Sequence, residues 1–449
     1  MNLLIVISSI SVLIVSAILF HRAAGTISIF KLNTVSYAFY FQILTVGFVG
    51  PILLATNTLQ YHYMADPISY AIRFESWMWS MYALLMMPLA MLIFNKIFKI
   101  RIAKELDNYA SKQFVLVDIS PSIYVKLALA LLSSFGLTYI LYYSPSIPIW
   151  TLINGGDLVQ ASIQRVASKR EFAGIPYIRT FFGIILIPAL AYYSYIIAHT
   201  NKSLSSWLFF SFQSILAFIL LTFDLQKAPI AFFILGFIIV HTFLTNGVSP
   251  KWFFIVFISS VFLILLGYEL TTDASMFKQF TDFHSAFYGR IFLVGYLGFP
   301  LSMELFPDSI IANTALFGIP EPLREIYNIE ATDSARELMK YINPVGVREG
   351  SANLISGYYL GEAWASFRYS GLLMAPIVVG CVIQFIHLVL LHLPKHPLFV
   401  AFYALISTKW LITSGFSNFL TLKIILFPLL TVFFLYIFMN TLTRIRRLK

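Results

Sequence analysis

One cysteine, Cys381, is all the thiol chemistry in this chain. A lone cysteine excludes an intramolecular disulfide and any cysteine-built zinc or iron–sulfur centre. Charge is nearly as scarce: Asp, Glu, Lys and Arg make up 11% of the 449 residues, against about 25% in an ordinary soluble domain. There is no Asp-x-Asp pair of the kind that holds a metal on a nucleotide sugar. His-Glu-x-x-His, Gly-x-Ser-x-Gly and Gly-rich phosphate loops with Lys are also missing. Nor does a basic stretch precede the first apolar run. His21 and Arg22 follow Met1 to Phe20, which makes a poor signal peptide and a reasonable first span with its N-terminus outside.

What fills the chain instead is apolar. Hydrophobic residues make up 59%, and the mean hydropathy is +0.83, so the composition is that of a polytopic membrane protein. The net charge of +10 suits anionic lipid or an anionic substrate. Without a soluble domain to present a basic patch, nucleic acid is not expected as a partner. The 44 Phe and 25 Tyr suit lipid-facing and sugar-stacking surfaces alike, and lipid accounts for most of them.

A span needs about 20 mostly apolar residues. Apolar runs predict spans near 3–20, 36–56, 76–95, 123–143, 180–199, 205–222, 229–245, 252–269, 371–393, 397–414 and 421–441. The expected fold is therefore an all-α integral membrane bundle of about eleven helices, one domain over 1–449. Placing the C-terminus inside gives every short inner loop a cation: Arg22 and Lys31, Lys96 to Lys126, Lys202, Lys251, Lys395, and Arg444 to Lys449. That satisfies the positive-inside rule. Only Glu105, Asp107 and Asp118 among the acids then fall inside. Two large loops, about 144–178 and 270–370, lie outside, and the second is too long to be structureless. In the first, Asn154-Gly155-Gly156-Asp157 reads as a turn before a helix. In the second, 288–304 is apolar enough to dip into the membrane, 332–342 reads as an amphipathic surface helix, and Asn353 to Tyr369 as a helix running into the next span.

These outer loops carry cations where the rule would not put them: Arg165, Lys169, Arg170 and Arg179 in one, Arg290, Arg324, Arg336 and Arg348 in the other. Arg presents a planar fork to phosphate and Lys a point charge, and a lipid-linked pyrophosphate would lie at that surface. The plainer alternative pairs them with Glu171, Glu325, Glu337 or lipid headgroups, and it suits Arg324, Arg336 and Lys340 best. Arg165, Arg170 and Arg290 read as functional. Lys227 occupies a tight outer turn, and Lys409 interrupts an apolar stretch. Charge at membrane depth costs at least about 2.5–3.5 kcal/mol on insertion scales and marks a site unless the side chain snorkels. Glu362, Glu171, Asp282 and His284 are the acid–base candidates, while His387, His392 and His396 are expected to be solvated or interfacial.

At these residues the chain resembles the O-antigen polymerases of the Wzy family, in patches over roughly 150–425. Gln164-Arg165 through Arg170-Glu171-Phe172-Ala173-Gly174 resembles that family's arginine-bearing outer loop, and Gln226-Lys227-Ala228-Pro229 its Lys-containing turn. Gly289-Arg290-Ile291-Phe292 resembles the entry to its second large loop. The stretch from Asn353 through Gly361-Glu362-Ala363-Trp364 to Arg368-Tyr369-Ser370-Gly371 is similar to the approach to its next span, and Thr408-Lys409 to a late Thr-Lys pair. The family spacing of an arginine, ten residues and a glycine is absent: Pro176, Phe181, Leu301 and Tyr359 stand where glycine would follow Arg165, Arg170, Arg290 and Arg348.

The resemblance implies a bacterial inner-membrane enzyme with a fold like the GT-C glycosyltransferases and its large loops in the periplasm. It implies polymerisation of undecaprenyl-pyrophosphate-linked oligosaccharide repeats, with undecaprenyl pyrophosphate released and neither metal nor cofactor needed. Arg165, Arg170, Arg290, Lys409, Lys227 and Arg348 would contact the pyrophosphate, with Glu362, or else His284, as the base. A chain-length regulator and a flippase are possible partners. Two readings stay open beside it: an O-antigen ligase, and a non-enzymatic flippase or transporter of lipid-linked oligosaccharide.

Overall fold

The computed structural model describes residues 2–58, 63–114, 122–269, 275–306, 316, 319, 321–350, 352, 354–355, 357–409, 412–421 and 428–437. Every regular element among them is helical. Helices long and apolar enough to cross a membrane are α1 (Asn2–Ala24), α2 (Thr34–Ala55), α3 (Tyr70–Ile97), and, after the surface helix α4 (Ile102–Ser111), α5 (Ile123–Tyr143). Two short loop helices follow, α6 (Pro148–Ile153) and α7 (Leu158–Arg170). The spanning series resumes with α8 (Pro176–Asn201), α9 (Leu204–Thr222), α10 (Lys227–Thr245) and α11 (Pro250–Glu269). Beyond it lie α12 (286–305), the surface helix α13 (Ser334–Ile342), the long α14 (Tyr359–His392) and the shorter α15 (Pro397–Lys409). The protein is thus a multi-pass helical membrane protein.

Nine of the expected spans are helices of full spanning length among the described residues, and the last two are shorter, Pro397–Lys409 and Pro428–Ile437. Of the expected span 397–414, Pro397–Lys409 is helix among the described residues. Ile412, beyond it, is tied elsewhere. Its amide donates to Gln42 Oε1 at 2.7 Å, and its carbonyl accepts from Tyr359 N at 2.9 Å.

The chain divides into two compact units. The first comprises Met1–Asp107, Ala274–Val389 and Trp410–Ile424, the second Asn108–Asp273, Leu390–Lys409 and Ile425–Lys449. In the first, α1 lies along α3, and α12 packs against α2 and α3. The expected membrane-dipping stretch is therefore a helix of this unit, with Gly295 to Met303 wholly buried. Asn95 and Gln384 donate to the Ala23 carbonyl, both at 3.0 Å, so side chains of two other helices take up the open end of α1. His387, expected to be solvated, belongs to the same buried group, with Nε2 3.3 Å from the Ala24 carbonyl. His392 is exposed as expected.

In the second unit α8 is the central helix, buried along most of its length against α9 and α15. Gly236 of α10 allows the approach to α8, because a methyl there would overlap the Tyr192 hydroxyl, which donates to the Phe233 carbonyl at 2.8 Å. The loop helices match expectation: α7 follows the Asn154–Asp157 turn, and α13 is capped by Asp333, with Lys340 paired to Glu337 at 2.6 Å. The expected helix before the next span begins at Tyr359 and breaks once, at Arg368 (φ 55°, ψ −137°); Asn353 lies outside the described residues.

Candidate functional site

The first turn of α8 sets one corner of the site in the second unit. Pro176 takes the opening helical position, where its missing N–H costs nothing. That places Arg179 three residues in, just before a stretch of wider winding over Thr180–Leu186. Departures of this kind from α-helical winding are often found at functional sites. Arg179 Nη1 donates to the Ser168 carbonyl of α7 at 2.8 Å, and its guanidinium carbon stands 5.0 Å from the centre of the Phe172 ring. The same helix α7 carries Arg165 and Arg170, the second exposed.

The turn between α9 and α10 sets the second corner. Leu225 takes a left-handed conformation (φ 58°), which reverses the chain tightly enough for Gln226 to fold back on Asp224. Its amide and its side-chain nitrogen both donate to the Asp224 carboxylate. Asp224 is buried. Lys227 opens α10 with its ammonium 3.8 Å above the Tyr268 ring centre.

Lys409, the last residue of α15, completes the group. Asp224 is within electrostatic reach of both Lys409 and Arg179, yet neither closes to a direct ion pair with it. The half-buried Lys409 ammonium makes no hydrogen bond among the described residues. Two cations from separate helix ends thus share one buried carboxylate that leaves their hydrogen-bonding capacity largely unspent. Such an arrangement can bind a second anion, and phosphate oxygens suit both Arg and Lys.

The remaining expected site residues belong to the first unit. Glu362, in the first turn of α14, is buried and accepts from Ser417 N at 2.7 Å and Ser417 Oγ at 2.9 Å. Gly415 lies directly against the carboxylate, and Asp333 is within electrostatic reach. Arg290 is exposed in a second widely wound stretch, Gly289–Val294. His284 is exposed, its amide held by Asp282 Oδ1 at 2.9 Å. Arg348 ends the short turn Pro344–Arg348, whose first turn Asn343 caps, and it is also exposed.

The structure therefore brings Lys409 to the charge group near the Lys227 turn and places Arg165 and Arg170 on the helix that Arg179 contacts. Sequence reasoning passed over Arg179 and Asp224 as site residues. Arg179 counted only as one more outer cation, although its place at the mouth of a span was the available signal. Asp224 stood in plain view beside Lys227, but no spacing links it to residue 409. Among the described residues no three His, Cys, Asp or Glu side chains converge to hold a metal ion. Compared with protein-family models, curated proteins and solved structures, the chain matches none.

Proposed function

We propose that the protein polymerises oligosaccharide units carried on a lipid pyrophosphate, joining them at the periplasmic face of a bacterial inner membrane. The observation that carries this reading is the group Arg179, Asp224 and Lys409: paired cations with unspent donors at helix ends of a highly apolar chain. In the proposed reaction a hydroxyl of the incoming unit attacks the anomeric carbon of the growing chain. The C–O bond to the pyrophosphate breaks, and the lipid pyrophosphate leaves with the electron pair. Fixed cations aimed at charge developing on the leaving group are the kind of electrostatic stabilisation that often dominates catalysis. The donor arrives already activated, so the bond can form without a nucleotide.

Arg179 and Lys409 are the leading phosphate contacts in this reading. Arg165, Arg170 and Lys227 reinforce the positive field, and Arg290 and Arg348 are proposed as phosphate contacts of the other unit. Glu362 is the proposed acceptor of the hydroxyl proton, with His284 as the alternative. Chain-length regulators and a flippase remain proposed partners.

Reconstitution of the purified chain in vesicles with lipid-linked repeat units tests the reading. Growth of a glycan ladder without nucleotide or ion gradient is the expected result, with loss of the ladder in Lys409→Met at normal protein yield. Transfer of preformed polymer to a lipid A core would make the protein a ligase. Movement of the lipid-linked unit across the bilayer with no new bond would make it a transporter.

A further inference from the structure

Where α3 meets α14, within the first unit, a group of side chains has no part in the reaction above. Trp79 and Tyr369 face one another with ring centres 6.0 Å apart, inclined at 42°. Tyr82 stands edge-on to Trp79 at 5.6 Å, and Trp364 edge-on to Tyr369 at 5.0 Å. Tyr369 is 53% exposed, so much of its side chain is accessible to a ligand. Glu75, one helical turn before Trp79, accepts from Trp79 Nε1 at 3.4 Å and lies within electrostatic reach of the Tyr369 hydroxyl.

Arg368 adds a second, independent feature. It holds the left-handed break of α14, in a backbone conformation that costs a non-glycine residue on the order of 1–3 kcal/mol and tends to persist at functional sites. Its guanidinium carbon lies 5.1 Å from the centre of the Trp364 ring. Both terminal nitrogens are buried and have no hydrogen-bond partner among the described residues. Buried donors left unmade are costly and call for a partner.

We propose that Trp79, Tyr369, Glu75 and Arg368 form a saccharide-binding subsite. A pyranose ring has an apolar C–H face that stacks on aromatic rings and a rim of hydroxyls that both donate and accept. The exposed Tyr369 ring, with the half-buried Trp79 beside it, offers the stacking surface, the Glu75 carboxylate accepts, and the Arg368 guanidinium donates. An ordinary interfacial belt of Trp and Tyr sits among lipid headgroups, and it needs neither the carboxylate between the rings nor the strained arginine. The subsite deepens the polymerase reading and rests on it for one point only: that the sugar belongs to a lipid-linked oligosaccharide.

Two probes separate the possibilities in nanodiscs carrying the full chain: lipid-free oligosaccharide released by mild acid from lipid-linked repeats, and undecaprenyl pyrophosphate without sugar. Saturation-transfer NMR reads glycan binding, and thermal unfolding checks that each variant folds. The expected result is saturable glycan binding that weakens at least tenfold in Tyr369→Ala and Glu75→Gln, while binding of undecaprenyl pyrophosphate is unchanged. Arg368→Lys, which keeps the charge but loses the fork, should weaken glycan binding by a smaller factor. No glycan binding by the wild type, or equal binding by folded Tyr369→Ala and Glu75→Gln, overturns the subsite. Binding lost only for the lipid probe assigns the patch to lipid and also overturns it. A ladder that grows normally in vesicles with folded Glu75→Gln refutes the subsite while the polymerase reading stands. Glycan binding at the patch without any chain growth refutes that reading and leaves the subsite.

Discussion

Glu362 accepts two hydrogen bonds from a single residue, the amide of Ser417 at 2.7 Å and its hydroxyl at 2.9 Å. The contact closes the start of α14 onto Ser417–Leu420, segments 55 residues apart. All of it is buried, so truncation leaves two donors without acceptors at about 1–3 kcal/mol each. Glu362→Ala should lower the unfolding temperature in detergent clearly, and Glu362→Gln, which keeps an amide oxygen as acceptor, much less. If Glu362 also takes the proton of the attacking hydroxyl, the near-native Gln variant should build no polymer. A normal ladder from Glu362→Gln would confine the residue to its structural role.

Asp224 predicts a coupling. Its carboxylate is the shared counter-charge of Arg179 and Lys409, so Asp224→Asn should destabilise the protein by leaving both cations without it. Adding Lys409→Met to Asp224→Asn removes one of the cations that has lost its counter-charge, so the Asp224–Lys409 attraction is not lost twice. The double variant should therefore be more stable than the two separate losses added together, with a coupling of roughly 0.5–3 kcal/mol. Additive losses in chemical unfolding would show that the three charges do not act as a group.

The membrane helices were legible because each is a run of apolar residues of spanning length, and that signal needs no tertiary information. The break at Arg368 was not, since Phe367-Arg368-Tyr369-Ser370 holds no proline. It depends on Gly371 folding back against the Ala363 carbonyl, where any side chain would overlap. The hold on Ile412 was hidden for a related reason, because its partner Gln42 is far away in sequence. The candidate site was half legible. Its cations stood out against an apolar background, but which of them share a carboxylate is set by where helix ends meet.

Asp333 gives a pH prediction. Its side chain caps α13 by accepting from Ala335 N at 3.0 Å and Arg336 N at 3.4 Å. Burial nevertheless raises its carboxyl above the ordinary range. The folded state then holds this proton more tightly than the unfolded chain, so the contribution is fully present below the unfolded carboxylate value and is lost as pH rises through the raised folded one. Asparagine caps a helix about as well and carries no charge. Asp333→Asn should match the wild type at low pH and exceed its unfolding temperature near pH 7. Asp333→Ala should lose about 1 kcal/mol at both. A wild type as stable as Asp333→Asn at every pH would refute the assignment.

Lys395 gives the opposite slope. Its ammonium, buried between α14 and α15, donates to the Ala110 carbonyl at 2.7 Å and the Lys112 carbonyl at 2.8 Å, with the Phe114 ring 5.0 Å away. It thereby ties the end of α4 to the start of α15 within the second unit. Burial pulls this amine down to about 8, so the folded state gives up its proton before the unfolded chain does. Stability from this group therefore rises with pH from about 8 to the ordinary lysine value near 10.4. Lys395→Met removes that slope together with two charge-assisted hydrogen bonds, each worth roughly 1.5–3 kcal/mol. The variant should unfold at lower temperature at pH 7, and amides around 108–112 should exchange faster. The gap to wild type should then widen toward pH 10, and a gap that stays constant from pH 7 to pH 10 would refute a depressed Lys395.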